Sequence, residues 1–444
     1  MKQIIPIILL ILTASLCEAQ QTADTLKLSR TEAIRIGLQN RYDVKANAYD
    51  ARIAGSQIAQ AKNKWLPEIN GDGQVRYSPQ LQNSVIPGGV LPGFNEPTLL
   101  PLTVKNQTVL GLSLSQPIYD ANLINDVRIA KNRSLQQQEK NRAAEIEIML
   151  TISRSYLDVQ LRGLQRRVAA NIAERNSEYE KIAEGMLKAG SLIENQYLRA
   201  KLDRENAEQL LKQAEQSYAL SLLQLHYHLN VPESTNLKLT DPLELTGASD
   251  PDASQPSGTR SEIRLLELAG QEYELNLRKA RQALLPALSF GANYSQQFLS
   301  DDFRYGTGRW WSPFSYLSLN LHIPISAHYK NRALSSEYRE RIGQNTMLLA
   351  QKKADIDYEV QQAKIALRNA VSNMKNAGDS YQLSKTIFQN QQQQYRLGAF
   401  EYSSLLDTEK SLNETERVYI QSAYDLMLAR LQLQKATNNF NVNK

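Results

Sequence analysis

The stretch Trp65-Leu66-Pro67-Glu68-Ile69 opens an alternating strand, and it recurs far along the chain as Leu284-Leu285-Pro286-Ala287-Leu288. A second alternating stretch, Leu112-Ser113-Leu114-Ser115-Gln116-Pro117-Ile118, recurs as Leu319-Asn320-Leu321-His322-Ile323-Pro324-Ile325. Each copy therefore runs helix, strand, loop, strand, long helix, turn and long helix. A repeated unit of this size indicates pseudo-symmetry, in which the two copies supply equivalent parts of one larger object.

The four predicted strands have one apolar and one polar face. A proline- and glycine-rich loop, from Pro79 to Pro101, separates the first pair, and a loop bearing Trp310 and Trp311 separates the second. Strands of about ten residues with this alternation are typical of membrane-spanning sheets. An ordinary half-buried antiparallel sheet shows the same alternation, so the strands alone leave both interpretations open. The two tryptophans fit either membrane-interface anchors or loop packing.

Two long segments, 122–186 and 331–395, are predicted to be helices that would each extend roughly 95 Å if continuous. A glycine turn, Lys188-Ala189-Gly190 or Arg396-Leu397-Gly398, connects each of them to a returning helix. Apolar or small residues in the second segment follow an alternating spacing of four and three: Ile356, Val360, Ala363, Leu367, Ala370, Met374, Ala377, Tyr381, Ser384 and Phe388. This spacing predicts a coiled-coil seam. The remaining faces are polar, which indicates that water covers much of the helix surface.

The first 19 residues predict a secretory signal peptide. They contain a basic residue, the apolar stretch Ile4–Leu12 and the small-x-small cleavage site Cys17-Glu18-Ala19. Cleavage after Ala19 would remove the only cysteine of the chain, and no thiol chemistry would then be expected. The alternative is a lipoprotein signal acylated on Cys17, which Leu16 immediately before it fits poorly.

Charge and motif content exclude several classes of function. The formal net charge is +5, with both signs interspersed, so no nucleic-acid partner is expected. The four histidines, His226, His228, His322 and His328, are paired with neither cysteine nor clustered carboxylates, so we expect no metal site and no cofactor. No catalytic constellation is apparent, which argues against an enzyme. No later segment has 18 consecutive apolar residues, so no transmembrane helix is predicted.

Four strands per chain cannot close a sheet in lipid, because an open edge in hydrocarbon leaves backbone groups unpaired at a cost of several kcal/mol each. If these are membrane strands, the closed sheet must be shared between chains. Three chains would give a twelve-stranded barrel, with their long helices forming a tube beside it. Polar positions on both faces of the helices suit a water-filled tube better than a solid bundle.

This organisation resembles the TolC family of bacterial outer-membrane efflux proteins over nearly the whole chain, from about Leu26 to Asn438. The opening pattern from Leu26-Lys27-Leu28 to Asn40 is similar, as is the Leu-Pro before the first strand of each copy. The most specific part is Tyr395-Arg396-Leu397-Gly398 followed by Leu405-Leu406-Asp407. The resemblance implies a mainly α-helical, internally duplicated channel-tunnel with a shared membrane β-barrel. It also implies a passive homotrimer, seated in the lipid of the outer membrane with its helical barrel in the periplasm. An inner-membrane pump and a periplasmic adaptor would dock at the helical tip.

The resemblance also places a periplasmic gate at the turn between the last two helices. Family members often carry aspartate rings there, and Asp407 matches one such position, while Ser404, three residues earlier, is not acidic. Glu401 is expected to supplement the ring, and the hydroxyl of Tyr395 matches a position that ties adjacent helices shut. The alternative for Asp407 is an ordinary solvated helix residue.

Gly190 and Gly398 are expected first to permit the tight turns at the tip and second to contact adaptor helices. The resemblance thus assigns to this end of the molecule both the gate and the docking of the adaptor.

The predicted domain organisation is a signal peptide (1–19), a first repeat (20–230), a linker (231–259) and a second repeat (260–440). The linker contains a short strand-like piece, Leu237-Lys238-Leu239-Thr240, and is expected to pack outside the main body. A periplasmic adaptor or coiled-coil scaffold is the alternative class, although it predicts one helical hairpin and soluble strands. Within the channel class, the export of drugs, of metals and of proteins by type I secretion all stay open.

Overall fold

The computed structural model describes residues 26–242, 258–306, 308–396 and 402–440. The chain divides into two compact units, and each takes segments from both sequence copies. The first unit holds residues up to Tyr49, Lys140–Ile263 and the chain from Gln351 onward; the second holds Asp50–Glu139 and Arg264–Ala350. The predicted signal peptide, with Cys17, lies outside the described residues, and the boundaries of the repeats stay a prediction.

The predicted order of elements is present in both copies. In chain order the elements are β1 (Leu26–Leu28), α1 (Arg30–Asn40), α2 (Tyr42–Asn63), β2 (Glu68–Tyr77), β3 (Asn83–Ile86), β4 (Thr98–Pro101), β5 (Asn106–Tyr119), α3 (Ala121–Lys188), α4 (Glu194–Leu229), β6 (Leu237–Leu239), α5 (Ser261–Gln282), β7 (Ala287–Ser300), β8 (Trp311–His322), α6 (Ala327–Arg396) and α7 (Tyr402–Ala436). Copy one supplies α2, β2, β5, α3 and α4, and copy two supplies α5, β7, β8, α6 and α7. Both long helices predicted from the sequence are confirmed.

The second unit contains one four-stranded antiparallel sheet in the order β2-β5-β7-β8. The sequence predicts two separate strand pairs, and the pairing of β5 with β7 joins them, with Leu112 opposite Tyr294 and Leu114 opposite Ala292. Among the described residues, β2 and β8 each pair along one side only. They therefore form the two edges of the sheet.

The apolar face of this sheet is exposed in the single chain. The exposed fractions are 57% for Leu112, 76% for Leu317 and 65% for Leu319. The opposite face carries polar contacts, such as the hydrogen bond that the Ser113 hydroxyl donates to Asp72 at 3.1 Å. Among the helices in the described parts of the chain, none combines the length and apolarity needed to cross a membrane.

The long helices of the first unit pack through the predicted seam. Val360, Leu367 and Met374 of α6 are buried in one cluster with residues of α3 and α7. Farther along α6, Phe388 and Tyr395 are buried in a second cluster with other residues of α3 and α7. The spacing of four and three is therefore confirmed as the buried stripe of α6.

The linker strand packs differently from the prediction. The strand β6 pairs in parallel with β1, with Leu237 opposite Leu26. Leu237 is buried in a core cluster with Leu28, Ile152 and Leu225, so the expectation that the linker packs outside the main body is wrong for this strand. The linker strand is an apolar part of the first unit.

The helical region before the first long strand consists of two helices, α1 and α2. The Ser29 hydroxyl accepts a hydrogen bond from the Glu32 amide and caps α1. The chain becomes extended at Arg41 (φ −60°, ψ 137°), whose side chain forms an ion pair with Asp43 and donates to the His228 carbonyl. These contacts hold the break between α1 and α2.

One loop and one strand end also differ from the sequence prediction. The segment from Pro79 to Pro101 contains a short hairpin formed by β3 and β4. The last strand ends at His322 rather than at Ile325, because Pro324 has no backbone N–H to continue the ladder.

Candidate functional site

The candidate site consists of the turns that end the long helices, together with the side chains packed immediately behind them. At the first turn, the Gly190 amide donates to the Leu187 carbonyl and the Ser191 amide donates to the Met186 carbonyl, each at 3.0 Å. Gly190 has φ +74°, and an added Cβ would meet no atom within 4 Å. The backbone conformation, and not lack of space, therefore favours glycine there. Gly190 is exposed, as a docking surface requires.

The second turn lies largely outside the described residues. Gly398 and Glu401 fall in the segment 397–401, so their predicted roles stay predictions. The structure describes the helix on each side of this turn, where Tyr395, Ser404 and Asp407 lie.

Tyr395 is buried, with 6% of its surface exposed. Its ring packs edge-on against Tyr179 of α3, with 6.3 Å between the ring centroids. Burial raises the pKa of Tyr395, and burial is also the largest cause that raises the pKa of Tyr179 to about 12. Both phenols therefore stay protonated at neutral pH, and they hold α6 against α3 within this chain.

Ser404 and Asp407 lie on the first turns of α7, and both are exposed. Their neighbours Leu405 and Leu406 are buried, so α7 packs through the leucines and leaves the Asp407 carboxylate accessible to solvent. The Thr408 hydroxyl donates to the Ser404 carbonyl at 3.0 Å and bonds to Gln391 of α6. The contact with Gln391 fixes this turn of α7 against α6.

A buried ion pair behind these residues is absent from the sequence prediction. Glu409 has 1% of its surface exposed, and its Oε1 accepts a hydrogen bond from Arg175 Nε at 2.7 Å. The same guanidinium donates to Asn413 Oδ1 at 2.9 Å, and it lies 5.6 Å from the centre of the Phe388 ring. This pair links α3 of copy one to α7 of copy two.

Burial raises the pKa of the Glu409 carboxyl, and Arg175 partly opposes that shift. A second carboxylate, Asp203 of α4, adds to it through like-charge repulsion. The pKa of Asp203 is itself raised by burial, against the opposing effect of Arg199 and Lys410. The ionised forms of these two carboxyl groups are therefore destabilised in the interior behind the turns.

A signal for this pair exists in the sequence. Leu405, Glu409 and Leu412 are spaced by four and three, so a carboxylate occupies a position on the apolar stripe of α7. A charge at such a position requires a buried partner, although the pattern alone does not identify Arg175 as that partner.

Metal ligation finds no support in the parts of the chain that the structure describes, since no group of three or more His, Cys, Asp and Glu side chains is placed to hold an ion. His226 lies between two backbone carbonyls, at 2.8 Å from Leu222 O and from Thr235 O. It therefore joins α4 to the linker.

A duplicated subunit with long solvated helix pairs and a sheet whose apolar face is exposed has the architecture of a TolC-like channel-tunnel of the outer membrane. The model of the outer membrane efflux protein family matches residues 33–231, and this match supports an outer-membrane factor. It is accordingly an outer-membrane efflux channel subunit.

Similar proteins extend the match to nearly the whole chain. The probable outer membrane lipoprotein SilC of Salmonella typhimurium is 23% identical, over 89% of this chain and 82% of that protein. The cation efflux system protein CusC of Escherichia coli K12 is also 23% identical, over 88% and 83%. Among solved structures, CusC superposes with a TM-score of 0.71 at 20% identity, covering 95% of both chains. The open state of the Neisseria gonorrhoeae MtrE channel gives 0.72 at 16% identity, covering 92% and 88%.

Proposed function

We propose that this chain forms the homotrimeric outer-membrane channel of a tripartite export system and passively conducts substrates from an inner-membrane pump and a periplasmic adaptor. The observation that carries this proposal is the four-stranded sheet with an exposed apolar face and two edges. Both features require partners: the apolar face requires lipid, and the edges require strands from other copies.

Closure of the sheet sets the number of chains. Each chain supplies four strands, and two chains would reach only the smallest membrane barrels of about eight strands, whose interior is filled by side chains. Three chains supply twelve strands, which leave room for a water-filled interior. The polar face, with Asp72 and Ser113, would line that interior.

The gate of the channel is assigned to the turn between α6 and α7. Three symmetry-related Asp407 carboxylates would raise the local negative potential and favour cations. Ser404 lies one turn earlier on the same helix, and Glu401 would add charge at the turn itself. Tyr395 would hold the helix ends in the closed arrangement, while Gly190 and Gly398 would form the turns that the adaptor contacts.

Cations are the proposed cargo. CusC is named a cation efflux system protein, and it aligns with this chain over most of both lengths. A negative ring at the gate is compatible with that cargo. Since the pump selects what is exported, the choice between cations, drugs and proteins is decided by the partner rather than by this chain.

Disulfide trapping tests the assembly. The described residues contain no cysteine, so cysteines introduced on the two edges report only on each other. Edge strands β2 and β8 are three strand spacings apart within one chain, about 14 Å, beyond the limit of about 7 Å between Cα atoms for a disulfide. Cells expressing Ser318→Cys combined with Asn70→Cys, Asp72→Cys or Gln74→Cys should therefore yield a covalent trimer from at least one pair.

The Ser318→Cys variant alone is the control, since one cysteine per chain yields dimers at most. Recovery of the unmodified chain in the soluble fraction without detergent would contradict the proposal. So would the absence of any higher covalent species from all three cysteine pairs.

A further inference from the structure

An aromatic cluster covers the end of the sheet opposite the helix connections. It lies on the apolar face and comprises Tyr77, Phe298, Phe303, Tyr305 and Trp311, which we call the aromatic cap. Phe298 is directly opposite Thr108 on one side and Trp311 on the other, and it is fully buried although it lies on the exposed face of the sheet. The segment between β7 and β8 therefore folds back over the strands.

The contacts of Tyr305 hold this segment down. Its ring lies 4.8 Å from the Phe298 ring, and its hydroxyl is 3.0 Å from the Thr108 hydroxyl. Its carbonyl accepts a hydrogen bond from Trp311 Nε1 at 3.1 Å. Phe303 extends the cap to Tyr77 of the other sequence copy, with 5.7 Å between the ring centroids.

Most residues of the cap are partly exposed to solvent. Phe303 is 50% exposed and Tyr305 is 39% exposed, although the Tyr305 polar atoms are already bonded within the cap. Beside it Trp310 is 45% exposed, and the Arg309 guanidinium lies 5.3 Å from the centre of the Trp310 ring. The sequence offered two roles for the tandem tryptophans. Loop packing is confirmed for Trp311, whereas the exposed Trp310 requires another explanation.

The spacing of the cap from the far end of the apolar face matches a bilayer. Phe298 of the cap and Leu288 near the other end of β7 are ten residues apart, which is about 33 Å of strand at ~3.3 Å per residue. At the tilt of about 35–45° found in membrane sheets, this corresponds to about 25 Å along the membrane normal, the height of an outward-facing apolar band.

We propose that the aromatic cap, with Trp310 and Arg309, is the surface that binds the headgroup region of the bilayer at the outer boundary of the apolar band. Amphipathic rings are enriched at that depth because one part of each ring is apolar and the other is wet. The guanidinium of Arg309 is placed to meet lipid phosphates. This assignment rests on the membrane sheet of the proposed function.

The tryptophans of the chain provide the probe. The chain has three, and Trp65 precedes β2 at the end of the sheet opposite to Trp310 and Trp311. A Trp310→Phe/Trp311→Phe variant reports on Trp65 alone, and a Trp65→Phe/Trp311→Phe variant reports on Trp310 alone. The purified trimers are reconstituted into phosphatidylcholine vesicles brominated either near the headgroup or near the chain terminus.

Stronger quenching of Trp310 by the shallow bromines than by the deep bromines is the expected result. Quenching of Trp65 without quenching of Trp310, or quenching of Trp310 mainly by deep bromines, would overturn the proposal for the aromatic cap. Neither result would contradict the proposal that the sheet lies in the membrane. Absence of quenching for both would refute the membrane sheet as well. If loss of Trp311 unfolds the loop, Trp65→Phe alone keeps both tryptophans of this end, and its quenching is compared with the Trp65 reporter.

Discussion

Replacement of Arg175 by methionine would leave the buried Glu409 carboxylate without its cationic partner. Methionine keeps much of the length and apolar stem of arginine, so the packing around Phe388 is largely retained while the charge is lost. The carboxylate cannot move to solvent without repacking α7, because Glu409 is 1% exposed. It must therefore stay charged and unpaired or become protonated.

Protonation of Glu409 limits the loss of stability in the Arg175→Met variant. The ordinary pKa of the Glu409 carboxyl is 4.5, so neutralising it at pH 7 costs up to about 3.4 kcal/mol per protomer at ~1.36 kcal/mol per pH unit. At pH 5 the same step costs about 0.7 kcal/mol. Because the pKa of Glu409 is raised in the folded state, the folded state binds more protons than the unfolded state above pH 4.5. The free energy of unfolding therefore falls as pH rises.

The free energy of unfolding, measured by urea denaturation of the detergent-solubilised protein, should therefore differ from that of the unmodified chain far more at pH 7 than at pH 5. Arg417→Met is the matched control, since Arg417 pairs with Glu414 on the surface and its loss should change little. Arg175→Met/Glu409→Leu should recover most of the loss and show no such pH dependence. The reasoning would be refuted if Arg175→Met lowered the free energy of unfolding equally at both pH values. It would also be refuted if the double variant were less stable than Arg175→Met.

Three further outcomes are expected. Gly190→Ala should destabilise the first turn by about 1 kcal/mol because of its positive φ, whereas Gly185→Ala, in open space within α3, should be neutral or stabilising by up to about 1 kcal/mol; thermal melts that rank the two in the opposite order would contradict the turn assignment. Asp407→Asn should weaken the cation preference in bilayer recordings while Asp379→Asn, an exposed change elsewhere on α6, leaves it unaltered; equal selectivity in both variants would remove Asp407 from the gate. Tyr156→Phe should cost about 1 kcal/mol, since its hydroxyl donates to the β1 backbone at 2.9 Å; an unchanged urea midpoint would show that this bond contributes nothing net.

The periodic parts of this fold could be predicted from the sequence because their patterns are long. The seam through Val360 and Leu367 repeats over several heptads, so the buried face of α6 follows from spacing alone. The strands were equally visible through alternation. Periodicity says nothing about which strands become neighbours, and the pairing of β5 with β7 therefore needed the structure.

The parts that the sequence missed depend on contacts between distant residues. The break at Arg41 follows from contacts with Asp43 and with the His228 carbonyl. The contact with His228 cannot be predicted from local sequence propensity. Glu409 is visible as a charge in an apolar stripe, but Arg175 lies more than 200 residues away. The aromatic residues between β7 and β8 suggested an anchor or a packed loop, and only the fold shows that Trp311 packs against Phe298 while Trp310 is exposed.

In the proposed trimer, the joining of the two copies through β5 and β7 also determines how neighbouring subunits meet. One edge of the sheet comes from copy one and the other from copy two, and the strands alternate in direction from β2 to β8. Subunits inserted in the same orientation keep that alternation only if β8 of one meets β2 of the next. Contacts of β2 with β2 would be parallel, so the subunits of the proposed trimer meet head-to-tail. Such a ring has one kind of junction, and a single altered edge residue weakens every junction at once.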